Sequence, residues 1–179
     1  MVLLLLGLIL WIASHLMIRL APDLRQRLGG KAGTALMNLA ALALMIFGYR
    51  SFEGTFYWGR DPMLTGINNL LVLIAVYFSA AHGMKTAVAR HIRHPLLWGV
   101  VLWAVAHILV NGDTPSFLLF DGMLIWAFLQ MAAISRAEGP WVRPAAKPAK
   151  FEIFAVLGTV IVFGGASLVH KALGYPVFG

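Results

Sequence analysis

The stretch "ARHIRHPLLWGVVLWAVAHILVNGD", Ala89 to Asp113, decides the fold. It opens on Arg90, His91, Arg93 and His94, meets Pro95, and then runs apolar to Asn111 with one interruption, His107. Proline suits the first turn of a helix, where its missing N–H is no loss. The residues after it offer no turn signal until Asn-Gly-Asp. A basic cluster, an apolar run and a turn in that order predict a helix crossing a bilayer, with its cations held outside the hydrocarbon.

Outward from this stretch the pattern repeats. Apolar runs occupy residues 2–18, 34–49, 67–84, 96–111, 116–134 and 151–170. Each is near the roughly 20 residues that span a hydrocarbon core, some a little short. They predict an all-α, polytopic transmembrane bundle of about six helices, with five as the alternative count. No Lys or Arg precedes the first run and no small-residue cleavage site follows it, which reads as a retained helix. Residues 1–179 form one integral-membrane domain in this reading, with "GPWVRPAAKPAK", 139–150, as a cytoplasmic linker before the last helix.

Composition agrees. The chain is 60% hydrophobic and 12% charged, with a mean hydropathy of +0.83. A soluble domain carries about twice that share of charge. The net charge of +7 is explained by loop placement, and nucleic acid is not an expected partner. Arg19, Arg25, Arg27 and Lys31 follow the first run, Lys85, Arg90 and Arg93 the third, and Arg136, Arg143, Lys147 and Lys150 the fifth. The other loops are balanced or acidic. Basic loops face the cytoplasm, so both termini are expected outside, in an inner (cell) membrane. Trp58, Trp98 and Trp141 fall near the expected interfaces. Cysteine is absent, which excludes disulfides and thiolate metal sites.

Ionisable groups inside apolar runs mark function or interhelical bonding. His15, His82 and His107 are the informative ones. His91 and His94 lie in a basic loop and His170 near the end of the last run. Gly99, Trp103, His107 and Asn111 recur every fourth residue and share a helix face. Gly99 leaves space there, Trp103 offers a wall, and Asn111 is placed to bond the His107 ring. Trp11, His15 and Arg19 share a face in the same way. Ala75, Ser79 and Gly83 form a small-residue ridge suited to close packing, with His82 beside it. The bland reading makes the histidines interhelical hydrogen-bonding groups. Three neutral imidazoles on separate helices, with few carboxylates in the runs, suit a metal or haem iron better than a proton relay. His94 and His107 are about 20 Å apart along a helix and cannot share one iron. His107 is expected deep in the membrane. Between His15 and His82 the residues leave the choice open. Arg19, Arg90 and Arg93 are available for propionates. Asp61, Asp113 and Asp121 fall at expected outer loops or helix ends, and Asp113-Thr-Pro reads as a cap for the next helix.

"RHPLLWGVVLWAVAHILVNGD" (93–113), "HLMIRLAPDLRQRLG" (15–29) and "TGINNLLVLIAVYF" (65–78) together resemble the NnrU family of bacterial membrane proteins. The likeness covers nearly the whole chain apart from the last helix. It implies a link with denitrification and nitric oxide metabolism. The family is similar to the 15-cis-zeta-carotene isomerase, a membrane enzyme that uses histidine-ligated haem b. The resemblance implies haem b here, with His15 and His107 as ligands, His82 as a substitute, and His94 in the shared Arg-His-Pro. Arg19, Arg93, Trp103 and Asn111 complete the expected cofactor surroundings. The isomerase has a longer N-terminal region and a different C-terminal part, which puts a shared substrate in doubt. Lipids, a lipophilic small molecule and nitric oxide are the partners implied. Two rival readings stand beside this one. Arg93, His94, Pro95 and Gly99 also fit a membrane methyltransferase using S-adenosylmethionine, although only Glu138, Arg136 and Arg143 follow to grip cofactor and substrate. A non-enzymatic accessory or assembly factor is the other.

Overall fold

The computed structural model describes residues 1–178. In chain order the elements are α1 (Val2–Leu20), α2 (Pro22–Arg27), α3 (Gly30–Arg50), β1 (Phe56–Trp58), α4 (Pro62–Met84), α5 (Ala87–His91), α6 (Pro95–Val110), β2 (Gly112–Asp113), α7 (Thr114–Glu138) and α8 (Lys150–Ala172). The all-α class holds. Five helices, α1, α3, α4, α7 and α8, are long and apolar enough to cross a membrane, and α6 is a shorter apolar helix. This is a membrane protein by its helices.

α4 and α7 start earlier than the apolar runs because capping, not hydropathy, sets their first turns. Asp61 Oδ1 accepts from the Met63 and Leu64 N–H groups at 2.9 and 3.0 Å, starting α4 before Ile67. Asp113 Oδ1 accepts from Ser116 N–H at 2.8 Å and starts α7, as the Asp-Thr-Pro order requires. Asp121 differs from expectation: it lies two turns inside α7 with its side chain exposed. Pro62, Pro95 and Pro115 each occupy a first turn. The short α2 and α5 are too polar to register as apolar runs. Residues 140–149 form no helix.

Packing groups the described residues into two compact units. The first holds Met1–Tyr57 and Gly112–Pro140; the second holds Trp58–Asn111 and the chain from Trp141 onward.

In the first unit α1 packs on α3 and α7, burying Leu4, Gly7, Leu8, Ser14 and Met17. A Cβ on Gly7 would stand 2.8 Å from the Met45 backbone N and 2.9 Å from the Ala41 carbonyl oxygen. α3 buries Thr34, Ala41, Met45 and Gly48 while Leu36, Leu39 and Phe47 are exposed at 67%, 64% and 67%. A soluble helix reverses this order; where lipid is the solvent, close backbone approach drives association and large apolar groups face out. Polar bonds cross the unit: Ser14 Oγ donates to Asn38 Oδ1, and the Tyr49 hydroxyl meets Ser116 Oγ at 2.8 Å. Beside β1 and β2, Thr114 N–H donates to the Thr55 carbonyl at 3.0 Å.

In the second unit α4 packs on α6 and α8. Gly99 does not leave space: a Cβ there would lie 2.7 Å from the Ala75 carbonyl oxygen and 3.2 Å from Ser79 Oγ. Two residues of the expected ridge, Ala75 and Ser79, therefore receive α6. Gly83 does not take part, having nothing within 4 Å of an added Cβ. The Tyr77 hydroxyl donates to Glu152 Oε2 and the Ala87 N–H to Glu152 Oε1, both at 2.8 Å, fixing the start of α8 against α4 and α5.

Candidate functional site

The first unit sets His15 among aromatic rings. His15 lies four residues after Trp11 on α1, and its Nδ1 is 2.8 Å from the Trp11 carbonyl oxygen. An Nδ1–H donating there fixes the tautomer and leaves the lone pair on Nε2. The Trp11 ring centroid is 4.4 Å from the imidazole. Trp126, from α7, meets the imidazole edge-on at 5.0 Å and Trp11 at 5.5 Å. Ser14 Oγ stands 3.4 Å from Nδ1 on the other side.

This cluster contains orphaned polar atoms. Trp11 Nε1, Trp126 Nε1 and Gln130 Oε1 are buried and have no hydrogen-bond partner; Trp126 and Gln130 are 7% and 9% exposed. Gln130 follows Trp126 by one turn, on the same face of α7. Unpaired polar groups in a membrane interior cost several kcal/mol each, and two of these, the Trp11 and Trp126 indole N–H groups, belong to rings packed against the His15 imidazole. Arg19, one turn beyond His15, is already engaged: its Nη2 donates to Glu138 Oε1 at 3.0 Å. A propionate would have to share or replace that partner.

The second unit holds His107 with Trp103 and Asn111 on α6. His107 Nδ1 is 2.8 Å from the Trp103 carbonyl oxygen, and the two rings lie 5.0 Å apart. The tautomer is set as at His15, with the lone pair on Nε2. His107 sits in the last turn of α6, because Asn111 ends the helix, and one expectation changes. Asn111 Nδ2 donates to the His107 carbonyl at 2.8 Å, so it caps the backbone and does not bond the ring. Arg93 precedes the first residue of α6, at the end opposite His107, about 20 Å along the axis.

Of the other histidines, His94 is half-buried just ahead of α6, and the rest are exposed. His82 is exposed near the end of α4, and His91 is exposed at the end of α5. His170 repeats the i−4 bond, Nδ1 to the Ala166 carbonyl at 2.8 Å, but is exposed. Among the described residues no three His, Asp or Glu side chains form a metal-binding group. Trp126 and Gln130 escaped the sequence reading; a glutamine inside the run 116–134, four residues after a tryptophan, was the available signal.

The family model described as NnrU protein matches residues 3–177. The chain belongs to the NnrU family. The match takes in α8, beyond the reach of the motifs quoted above. Neither a curated protein nor a solved structure matches the chain. In this NnrU-family chain two of the three resembling motifs hold the histidines that the structure sets beside indoles: "HLMIRLAPDLRQRLG" begins at His15, and "RHPLLWGVVLWAVAHILVNGD" contains Trp103 and His107.

Proposed function

We propose that this NnrU-family protein binds haem b, with His15 and His107 as the iron ligands. The observation that supports the reading most is His15: a tautomer fixed through Nδ1, an Nε2 lone pair, and orphaned indole N–H groups in one buried cluster. An axial ligand needs that donor form, held by a second partner. His107 presents the same form beside Trp103. Haem, when bound, supplies an iron able to take an exchangeable ligand, which suits nitric oxide or the double bond of a lipophilic substrate. The chain's contribution is to fix both imidazoles, wall His15 with indoles and keep water out. The proposed setting is a bacterial cell membrane and a role in nitric oxide metabolism or isomerase-like chemistry.

The absorption spectrum of the detergent-purified protein, oxidised and dithionite-reduced, tests this. A haem-b spectrum of the low-spin bis-imidazole type is expected, turning high-spin or disappearing in His15→Ala and in His107→Ala. A protein that stays colourless after haem supplementation overturns the reading. A spectrum unchanged by both substitutions overturns the ligand assignment.

A further inference from the structure

In the second unit a pair of asparagines joins the end of α6 to the chain that follows α8. Gly174, at φ 89°, turns the chain back after α8, and the Tyr175 N–H closes that turn on the His170 carbonyl at 2.8 Å. Residues 175–178 then lie as a strap on the first turns of α4. Arg60, just ahead of α4, donates through Nη1 to the Pro176 carbonyl at 2.6 Å and through Nη2 to the Val177 carbonyl at 3.3 Å. Asn69 Nδ2 donates to the same Val177 carbonyl at 3.0 Å. Phe178 meets the Phe163 ring edge-on yet stays 66% exposed. A few bonds at an exposed edge are the kind of attachment that opens locally.

Behind Asn69 stands Asn68, and this pair has one donor too few. One end of the Asn68 amide is 3.0 Å from Asn69 Oδ1 and the other is 2.9 Å from the Ala106 carbonyl oxygen. An amide carries its N–H groups at one end only, so Asn68 can donate to one of these acceptors and must set its own oxygen against the other. The shortage comes from the strap. Because Asn69 turns its nitrogen to Val177, it shows its oxygen to Asn68. With Val177 gone, Asn69 can turn over and donate to Asn68, and Asn68 can then donate to Ala106. Ala106 immediately precedes His107. The next two carbonyls of α6 already take side-chain donors, His107 from Asn111 Nδ2 at 2.8 Å and Ile108 from Trp58 Nε1 at 3.2 Å.

We infer that residues 175–178 form a releasable strap, and that its release reverses the Asn69–Asn68 pair and passes a hydrogen bond to the turn of α6 that carries His107. The strap and the α6 turn compete for the same donors: the turn is looser while the strap is held and tighter once it leaves. The device works on the backbone and requires no group bound at His107.

Hydrogen–deuterium exchange of the full chain in detergent micelles, followed peptide by peptide, tests the relay. Two substitutions loosen the strap, Arg60→Gln at an exposed position and Asn69→Leu, which also leaves Ala106 as the one acceptor for Asn68. In both, residues 175–178 are expected to exchange roughly twofold faster or more, while the end of α6, residues 106–111, exchanges about two- to tenfold slower, the fold-change of one net hydrogen bond. Adding Asn68→Leu to either variant keeps the strap loose and abolishes the slowing. Simple loss of packing would instead speed both segments together. An α6 end that exchanges faster or at the wild-type rate when the strap is loose, or that slows equally without Asn68, overturns the inference, as does a strap unmoved by both substitutions.

Discussion

At the scale of single residues, the cluster around His15 separates shape from polarity. Trp126 fills space between α1 and α7, and it also carries an N–H with no partner. Trp126→Phe keeps most of the shape and removes the orphaned donor. The ligand-free protein is therefore expected to melt at or above the wild-type temperature. Trp126→Ala empties the site and is expected to cost about 3–5 kcal/mol. Melting curves of the two variants check this; a Trp126→Phe protein as unstable as Trp126→Ala would mean that the indole N–H is satisfied. Asp113 is a simpler case. Its carboxylate accepts from Ser116 N–H, and Asp113→Ala is expected to cost about 1 kcal/mol, the worth of an N-cap, read from denaturant midpoints in mixed micelles. The Arg19–Glu138 pair is exposed on both sides, 38% and 53%, and contributes at most about 1 kcal/mol.

At the scale of elements, two glycines have opposite roles on the same helix pair. Gly99 lets α6 meet the Ala75 carbonyl, whereas Gly83 has open space around it. Gly99→Val is expected to push α6 from α4, lowering Tm by several degrees and sharply reducing folded yield. Gly83→Ala is expected to be neutral or to stabilise by up to about 1 kcal/mol, since alanine is the better helix former. Size-exclusion profiles and thermal melts of both variants distinguish the roles; equal behaviour would refute them. The contrast also marks what the residues told in advance. Apolar runs locate every long helix, since lipid demands them, and helical periodicity correctly puts Trp11 beside His15 and Trp103 beside His107. Periodicity speaks only of one helix. It could not tell that Gly99 faces a carbonyl of α4, that Asn111 turns back to its own backbone, or that Trp126 arrives from α7. Those depend on which helices become neighbours, and large apolar residues facing lipid blur the amphipathic stripe that marks neighbours in soluble proteins.

At the scale of the whole molecule, the crossing count follows from a relation inside the first unit. Along α1 and α7 the partners climb together: Gly122 lies against Leu8, Trp126 against Trp11 and His15, and Glu138 reaches Arg19. The two helices are parallel. Between them in the chain come α3, α4 and α6. Two parallel spans must be separated by an odd number of crossings, so α6 is expected to cross as well as α3 and α4. Its 16 residues give about 24 Å against a core of about 30 Å, a shortfall that local thinning and the flanking polar residues can absorb. Six crossings would place both termini on one side, the arrangement that the alternation of basic loops predicts. The chain has no cysteine, so single-cysteine variants can be labelled with a membrane-impermeant maleimide against a silent background. Gln26→Cys, His91→Cys and Ala145→Cys are expected to react only from the cytoplasmic face, in inside-out vesicles. Glu53→Cys and Tyr175→Cys are expected to react in intact cells. The discriminating site is Ala145: were α6 not to cross, it would lie on the side opposite Gln26, and labelling of Ala145→Cys in intact cells would overturn the six-crossing topology.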